Sequence, residues 1–311
     1  MPSANAGRTR RSTVPRRVPY LFLAPAILLF SLFIALPIGY AVYLSFRKVK
    51  VSGLGLGRGA RREIYAGLEN YRSALSDPDL WSGSLRVLGY GVVLLPAMLG
   101  LALLFALLLD RPRVGLQRFA RIAIFLPYAV PAVIAGMLWG FLYLPAMSPL
   151  NDLMAGLGLP EPDLLGGGVV FYAVVNIALW GGVGFNMMVL YTSLRAIPQD
   201  LYEAARIDGG TEWQIALRIK IPLLRPALIM TTFFSLIATL QVFNEPMIIR
   251  PLTNSISSFW TPLMKIYQDA FAKNDIYSAA ASSVVIAFVT LLVSFGFLRL
   301  VQNRAFEGEQ R

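Results

Sequence analysis

Residues 198–222 read PQDLYEAARIDGGTEWQIALRIKIP. Pro198 suits the first position of a helix, where its missing N–H is not needed. The helical pattern then runs to about Ile207. Gly209 and Gly210 permit a left-handed stop. Thr211 followed three residues later by Gln214 is a capping-box pattern that starts a second helix, and Pro222 ends or bends it. The segment is therefore read as a short helix, a tight turn and a second short helix, all too short and too charged to cross a bilayer. Leu201, Ala204, Ala205 and Asp208 share one side of the first helix. Glu203 and Arg206 lie on another side at i,i+3 spacing and can pair. The residues alone leave two readings: a hairpin resting on its own bundle or on the bilayer, or a helix offered to a groove on a partner.

The sequence on either side of this hairpin is of another kind. Uncharged apolar stretches occupy residues 20–46, 87–109, 122–143, 169–194 and 279–298, and residues 227–249 hold a single acid, Glu245. A spanning helix needs about 20 apolar residues, and a signal-peptide core only about 7–15. The stretch 20–46 is thus an uncleaved span, and Pro25, Pro37, Pro127 and Pro131 are tolerated in lipid. The chain is expected to be an all-α integral membrane protein with six transmembrane helices. Of its 311 residues, 56% are hydrophobic and 14% charged, with mean hydropathy +0.61; soluble domains hold about 25% charged residues. It contains no Cys and no His. Disulfides, zinc sites and Cys- or His-based catalysis are excluded.

The net charge of +11 sits beside the spans, where it sets orientation instead of pointing to nucleic acid. Residues 1–18, read as a disordered basic tail, carry Arg8, Arg10, Arg11, Arg16 and Arg17. Loop 110–121 has Arg111, Arg113, Arg118 and Arg121; loop 195–225 has Arg195, Arg206, Arg218, Lys220 and Arg225; the C-terminal tail has Arg299, Arg304 and Arg311. Six spans put these four segments on one face, so both termini are expected in the cytoplasm. Segment 47–86 is the exception: it falls on the outer face yet carries Arg47, Lys48, Lys50, Arg58, Arg61, Arg62, Arg72 and Arg86. Its Gly-rich patch, 53–59, has no GKS or GKT ending, so it reads as a flexible outer loop and not as a phosphate loop.

The hairpin resembles the EAA loop of binding-protein-dependent ABC importer permeases. That pattern is Glu-Ala-Ala, three residues, Gly, nine residues, Ile, one residue, Leu-Pro. Glu203-Ala204-Ala205, Gly209, Ile219 and Ile221-Pro222 keep every spacing, with Ile221 in the Leu position. YLFLAP at 20–25, PIGY at 37–40, LSF at 44–46, LENY at 68–71 and FLP at 125–127 are similar to the carbohydrate-uptake branch. Within it they resemble the first subunit of the pair in maltose and glycerol-3-phosphate type permeases. The likeness covers roughly residues 16–305. One departure is Ser255-Ile256-Ser257, where the family often has Gly-Gly-Pro after Leu252-Thr253-Asn254; it bears on how the last outer loop meets the binding protein.

The resemblance implies a type I ABC importer permease fold over 19–305, between the basic tail and a short C-terminal tail at 306–311, in a bacterial cell membrane. It implies as partners a second permease subunit, two ATPase subunits and an extracytoplasmic substrate-binding protein. ATP and Mg belong to the ATPase; this chain holds no cofactor, binds no metal or nucleic acid, and is no enzyme. Glu203, Ala204, Ala205, Arg206, Asp208, Gly209 and Pro222 become coupling residues. The substrate is expected to be a sugar or a related polyol or glycerol phosphate. Sugars need hydrogen-bonding groups and flat aromatic faces, which nominates Asn176, Trp180, Gly182, Phe185 and Asn186 in the fourth span. Thr232, Ser235, Thr239 and Gln241 are their counterparts in the fifth. The same polar residues also serve helix packing. Glu245 is read as a structural or gating residue. An ion-driven secondary transporter, a membrane enzyme and a polyamine permease are the rivals; scarce buried carboxylates and the absence of His and Cys weigh against them.

Overall fold

A computed structural model describes residues 18–51, 61–110 and 116–306. The basic tail 1–17, the glycine-rich patch, Arg111, Arg113 and residues 307–311 lie outside the described residues.

The chain opens with α1 (Val18–Phe30), a π turn at Ser31–Ala35 and α2 (Leu36–Ser45). Together they form an apolar rod whose side chains are exposed along nearly its whole length, as lipid-facing or partner-facing surface must be. Then comes an antiparallel pair, β1 (Arg47–Val51) and β2 (Arg61–Tyr65), with Arg47 opposite Tyr65 and Val51 opposite Arg61. Helix α3 (Glu69–Leu75) follows. The glycine-rich patch read as a flexible loop lies outside the described residues, and the segment on either side of it is ordered. Asn70 Nδ2 donates to the carbonyls of Ser45 (2.8 Å) and Arg47 (2.7 Å), and the Tyr71 and Ser45 hydroxyls meet at 2.6 Å. These bonds fix α3 to the end of the first span.

Helix α4 (Pro78–Leu109) starts nine residues before the expected second span. Asp77 caps it, accepting the N–H groups of Asp79 and Leu80, and Pro78 takes the first turn. Arg86 enters the helix because it has a partner: it donates to the Trp260 carbonyl at 2.7 Å and lies over that ring.

The expected third span is not one helix. Helices α5 (Gln117–Ala129) and α6 (Ala132–Leu142) are bent by 98° at Val130–Pro131. Pro131 cannot donate to the turn before it and pushes Val130 into extended backbone. After α7 (Pro149–Gly156) comes α8 (Val169–Arg195), the central helix, packed along α4, α5 and α6.

The hairpin segment follows as α9 (Asp200–Ile207), α10 (Glu212–Ile215), a π turn at Ala216–Lys220 and α11 (Ile221–Leu223). The expected fifth span is α12 (Arg225–Leu240) and α13 (Asn244–Ile249), unwound between them. A short α14 (Pro262–Tyr267) precedes the last span, α15 (Ile276–Phe306). Among the described residues, five helices are long and apolar enough to cross a membrane, and six if α5–α6 is one bent span.

The core lies between α4 and α8. Tyr90, Leu94 and Met98 pack against Val170, Val174 and Ile177, with Trp260 closing one end. A second cluster, Ala102, Ala106, Met187 and Leu190, continues to the other end. Gly184 is where α5 and α8 touch: a Cβ there would lie 2.2 Å from the Ile124 carbonyl oxygen and 2.8 Å from Phe125 Cα.

Candidate coupling loop and transport cavity

The hairpin closes as its sequence requires. Gly209 adopts φ +80°, the Gly210 N–H bonds the Ala205 carbonyl (2.9 Å) and the Gly209 N–H bonds that of Arg206 (3.0 Å), a Schellman stop. Gly210 is needed as much as Gly209, since a Cβ would sit 2.7 Å from the Ala205 oxygen. The Thr211–Gln214 capping box forms. Pro198 lies just outside the helix, which begins at Asp200, and Pro222 sits in the first turn of α11.

One pairing that the hairpin allowed is corrected. Arg206 does not pair with Glu203; its Nε reaches Glu212 Oε1 at 2.8 Å, across the turn, so it staples the two helices together. Glu203 is exposed and makes no ion pair among the described residues. Leu201, Ala204 and Asp208 are exposed and Ala205 is half-buried. The side of α9 turned inward is that of Tyr202, 7% exposed, under which Lys220 Nζ lies 4.7 Å from the ring. Burial, helped by the charge of Asp110 and opposed by Arg195, pushes the Tyr202 phenol up to about 12, so it stays protonated. Lys220 bonds Asp110 at 2.5 Å with both side chains 6% exposed, tying the loop to the end of α4.

The outward side of the loop is apolar. Ile207 is 86% exposed and Trp213 67%, with Leu201 and Leu217 also exposed. Sequence reasoning passed over Ile207 and Trp213, because single apolar residues in a short amphipathic helix read as its buried stripe.

A second feature is a cavity of about 670 Å³ in the bundle, between the α5–α6 bend, α4, α8 and α12. The bend supplies Pro127, Tyr128 and Pro131. The cavity gathers most of the nominated residues: Gly182, Phe185, Asn186, Ser235, Thr239 and Gln241. Asn186 is buried, donates to the Gly182 carbonyl (3.0 Å) and accepts from Ser235 Oγ (3.2 Å). Thr239 bonds back to the Ser235 carbonyl at 2.7 Å. Phe185 stacks on Tyr128, centroids 4.9 Å apart. The unwound turn after Leu240 adds Gln241, Asn244 and Glu245. Glu245 is therefore on the cavity wall. Among the described residues, no Lys or Arg lines the cavity.

Three nominated residues lie elsewhere. Asn176 donates to the Tyr143 hydroxyl (2.8 Å), Trp180 packs edge-on against Trp139 (5.9 Å) and Thr232 bonds the Leu228 carbonyl (2.6 Å). The first two join α8 to α6, and the third bonds back within α12. Tyr90, Tyr128 and Phe243, which line the cavity, were missed because a proline-bent helix was read as a straight one.

Comparison with known proteins gives the family and the fold. Residues 98–307 match the model of a family described as binding-protein-dependent transport system inner membrane component. The chain is 33% identical over 296 residues to an sn-glycerol-3-phosphate transport system permease protein of Agrobacterium fabrum, covering 94% of this chain and 97% of that one. It is 31% identical over 324 residues to the diacetylchitobiose uptake system permease protein of Streptomyces coelicolor, covering 99% and 89%. Among solved structures, a chain of a bacterial alginate ABC transporter in complex with its alginate-bound periplasmic protein superposes with a TM-score of 0.75. That likeness has 20% identity and covers 90% of this chain and 92% of the other.

Proposed function

The chain belongs to the binding-protein-dependent transport system inner membrane component family, and from that membership we propose that it carries an uncharged carbohydrate inward as one half of a permease pair. A separate ATPase drives it through the loop at 198–222. The observation that carries the coupling is the outward side of that loop. Ile207, Trp213 and the carboxylate of Glu203, which has no ion pair among the described residues, stand exposed on a hairpin pinned by Lys220–Asp110 and Arg206–Glu212. An apolar tip with one charge at its edge suits a groove on a partner. A stiff hairpin passes a push on to α8 and α12, and alternating access follows as the two halves rock.

Glu203 would pair with a base on the ATPase. Gly209 and Gly210 set the hairpin angle, and Ala204 and Ala205 let the partner approach. ATP and Mg would be bound by the ATPase alone. A second permease subunit would cover the exposed first span, and a binding protein would deliver substrate from the far side. Both termini lie in the cytoplasm on this reading.

The cavity favours an uncharged substrate. Among the described residues, its wall offers amides, hydroxyls, the Tyr128–Phe185 stack and one carboxylate, Glu245, and no cation. Sugar hydroxyls need such groups, whereas a phosphate needs a base. Of the two relatives, the diacetylchitobiose permease is therefore the better guide to substrate class than the glycerol-3-phosphate one. The test is reconstitution in nanodiscs with the second permease, the ATPase pair and the binding protein. Uncharged di- or oligosaccharides should stimulate ATP hydrolysis at least tenfold more than sn-glycerol-3-phosphate. The reverse order would overturn the substrate class and leave the coupling standing. Uptake by this chain alone, driven by an ion gradient, would overturn both.

A further inference from the structure

The hairpin does not lie flush on the helices it joins. Between α9 and the ends of α4, α5 and α8 is a recess of about 510 Å³. Arg118, Arg121, Arg195, Arg206 and Lys220 line it, against one carboxylate, Asp110. Asp110 is taken by Lys220, and Arg206 is held by Glu212. Arg118, Arg121 and Arg195 make no ion pair among the described residues. The Arg121 guanidinium instead lies over the Tyr191 ring, 5.0 Å from its centroid.

An independent observation comes from Tyr202. It lines the same recess, and its hydroxyl is buried with no hydrogen-bond partner among the described residues. A buried donor without an acceptor is costly, and cations gathered in a walled recess repel one another unless an anion joins them. Phosphate oxygens answer both needs. They accept the forked N–H pairs of guanidinium groups and the O–H of a phenol. The setting is that of a membrane surface: Leu116, Phe119 and Ile122 are exposed on α5 beside Arg118 and Arg121. Basic recesses between span ends, flanked by apolar side chains, suit anionic headgroups.

We propose that this recess binds a phosphate-bearing anion, in the bilayer the headgroup of an anionic lipid, which ties the coupling helix to α5 and α8. The site is read without the ATPase and its test uses this chain alone, so it can fail while the coupling reading stands.

The full chain, purified in detergent and stripped of lipid, is unfolded by heat with phosphatidylglycerol, with phosphatidylcholine, or with inorganic phosphate against sodium chloride of equal ionic strength. Phosphatidylglycerol should raise the midpoint by about 3 °C and phosphatidylcholine should not. Arg121→Gln/Arg195→Gln should lose at least half of that rise. Arg62→Gln/Arg72→Gln, which removes the same charge on the β2–α3 side, should keep it. Should the first pair fail to purify, Arg195→Gln alone, on an exposed side chain, serves in its place. If inorganic phosphate alone gives the full rise, with the same loss in the variant, the recess takes free phosphate and the assignment of its chemistry holds. An equal rise in wild type and the recess variant, an equal loss in both variants, or no rise with either anion overturns the site.

Discussion

Glu203 and Gly209 do different work within six residues of each other. The carboxylate is exposed and unpaired among the described residues, while Gly209 holds φ +80° at the turn. Removing one partner of a desolvated interfacial charge pair costs about 2–5 kcal/mol, and a left-handed conformation costs a bulky residue about 1–2 kcal/mol. Glu203→Ala and Gly209→Val should therefore leave the spans inserted and sugar binding by the extracytoplasmic protein intact. Co-purification of the ATPase and substrate-stimulated hydrolysis should fall together, by tenfold or more for Glu203→Ala. Ile207→Ala should do the same through lost apolar contact. Normal docking and stimulation in all three would leave the hairpin a structural element only. The resemblance to the EAA pattern singled out Glu203 and Gly209 in the sequence. It could not show Ile207, whose exposure depends on which side of α9 the burial of Tyr202 turns inward.

At the scale of elements, what joins the helices was less legible than the helices themselves. Apolar runs located the spans, since lipid imposes helix on any long uncharged stretch. They did not show that Pro131 breaks the third span or that Gln241–Phe243 unwinds the fifth, because membrane helices often carry proline and polar residues without breaking. Those two irregularities make the cavity wall. The close contact at Gly184 holds the bend against α8, so Gly184→Leu, which overpacks the crossing, should cost about 1–3 kcal/mol. A lower thermal midpoint in detergent checks this, and an unchanged midpoint would mean that α5 can move aside freely. The outer loops are joined differently. Lys265 Nζ meets Asp77 at 2.9 Å and Asp269 at 2.5 Å, and Lys273 meets Asp269 at 2.7 Å. Burial opposes both shifts, but Asp269 and Asp77 hold the Lys265 ammonium above its ordinary value. Lys265, with the N–H groups of Asp79 and Leu80, holds the Asp77 carboxyl below its ordinary 3.8. A depressed carboxylate contributes stability above its unfolded pKa and loses it as pH falls through the folded one. A raised ammonium contributes below 10.5 and loses its share as pH rises through the folded value. Asp77→Asn keeps the cap and removes the charge. It should lower stability by about 1 kcal/mol, uniformly between pH 5 and 9. The gap to wild type should close below about pH 3.8, as followed by thermal unfolding; a constant gap down to pH 3 would rule the charge out.

For the whole molecule, the first span sets the largest open question of packing. Its side chains from Tyr20 to Phe30 are all exposed, and it meets the rest of the chain through α2 and α15 alone among the described elements that it touches closely. An uncharged rod of this kind belongs in lipid or against another subunit, which the family's paired permeases would supply. Orientation follows from the basic loops, and it is tested most sharply where they conflict. The β1–β2 pair and α3 are rich in Arg and Lys yet fall opposite the coupling hairpin if α5–α6 counts as one span. The positive-inside rule weighs short loops near span ends, and here the cationic side chains are partly occupied: Lys48 bonds Glu69, and Arg47 lies 3.9 Å from Glu63 and over the Tyr43 ring. The basic segments on the other face outweigh this one, so it should lie on the outer face. The chain has no native Cys, so single cysteines report cleanly. Ser73→Cys on α3 and Ala155→Cys on α7 should react with an impermeant maleimide in intact cells, whereas Asp200→Cys on α9 should react only after permeabilisation. Protection of Ser73→Cys alongside labelling of Ala155→Cys would place the β1–β2 side with the coupling hairpin. In that case the α5–α6 pair would dip into the membrane and return, and the chain would have five spans instead of six.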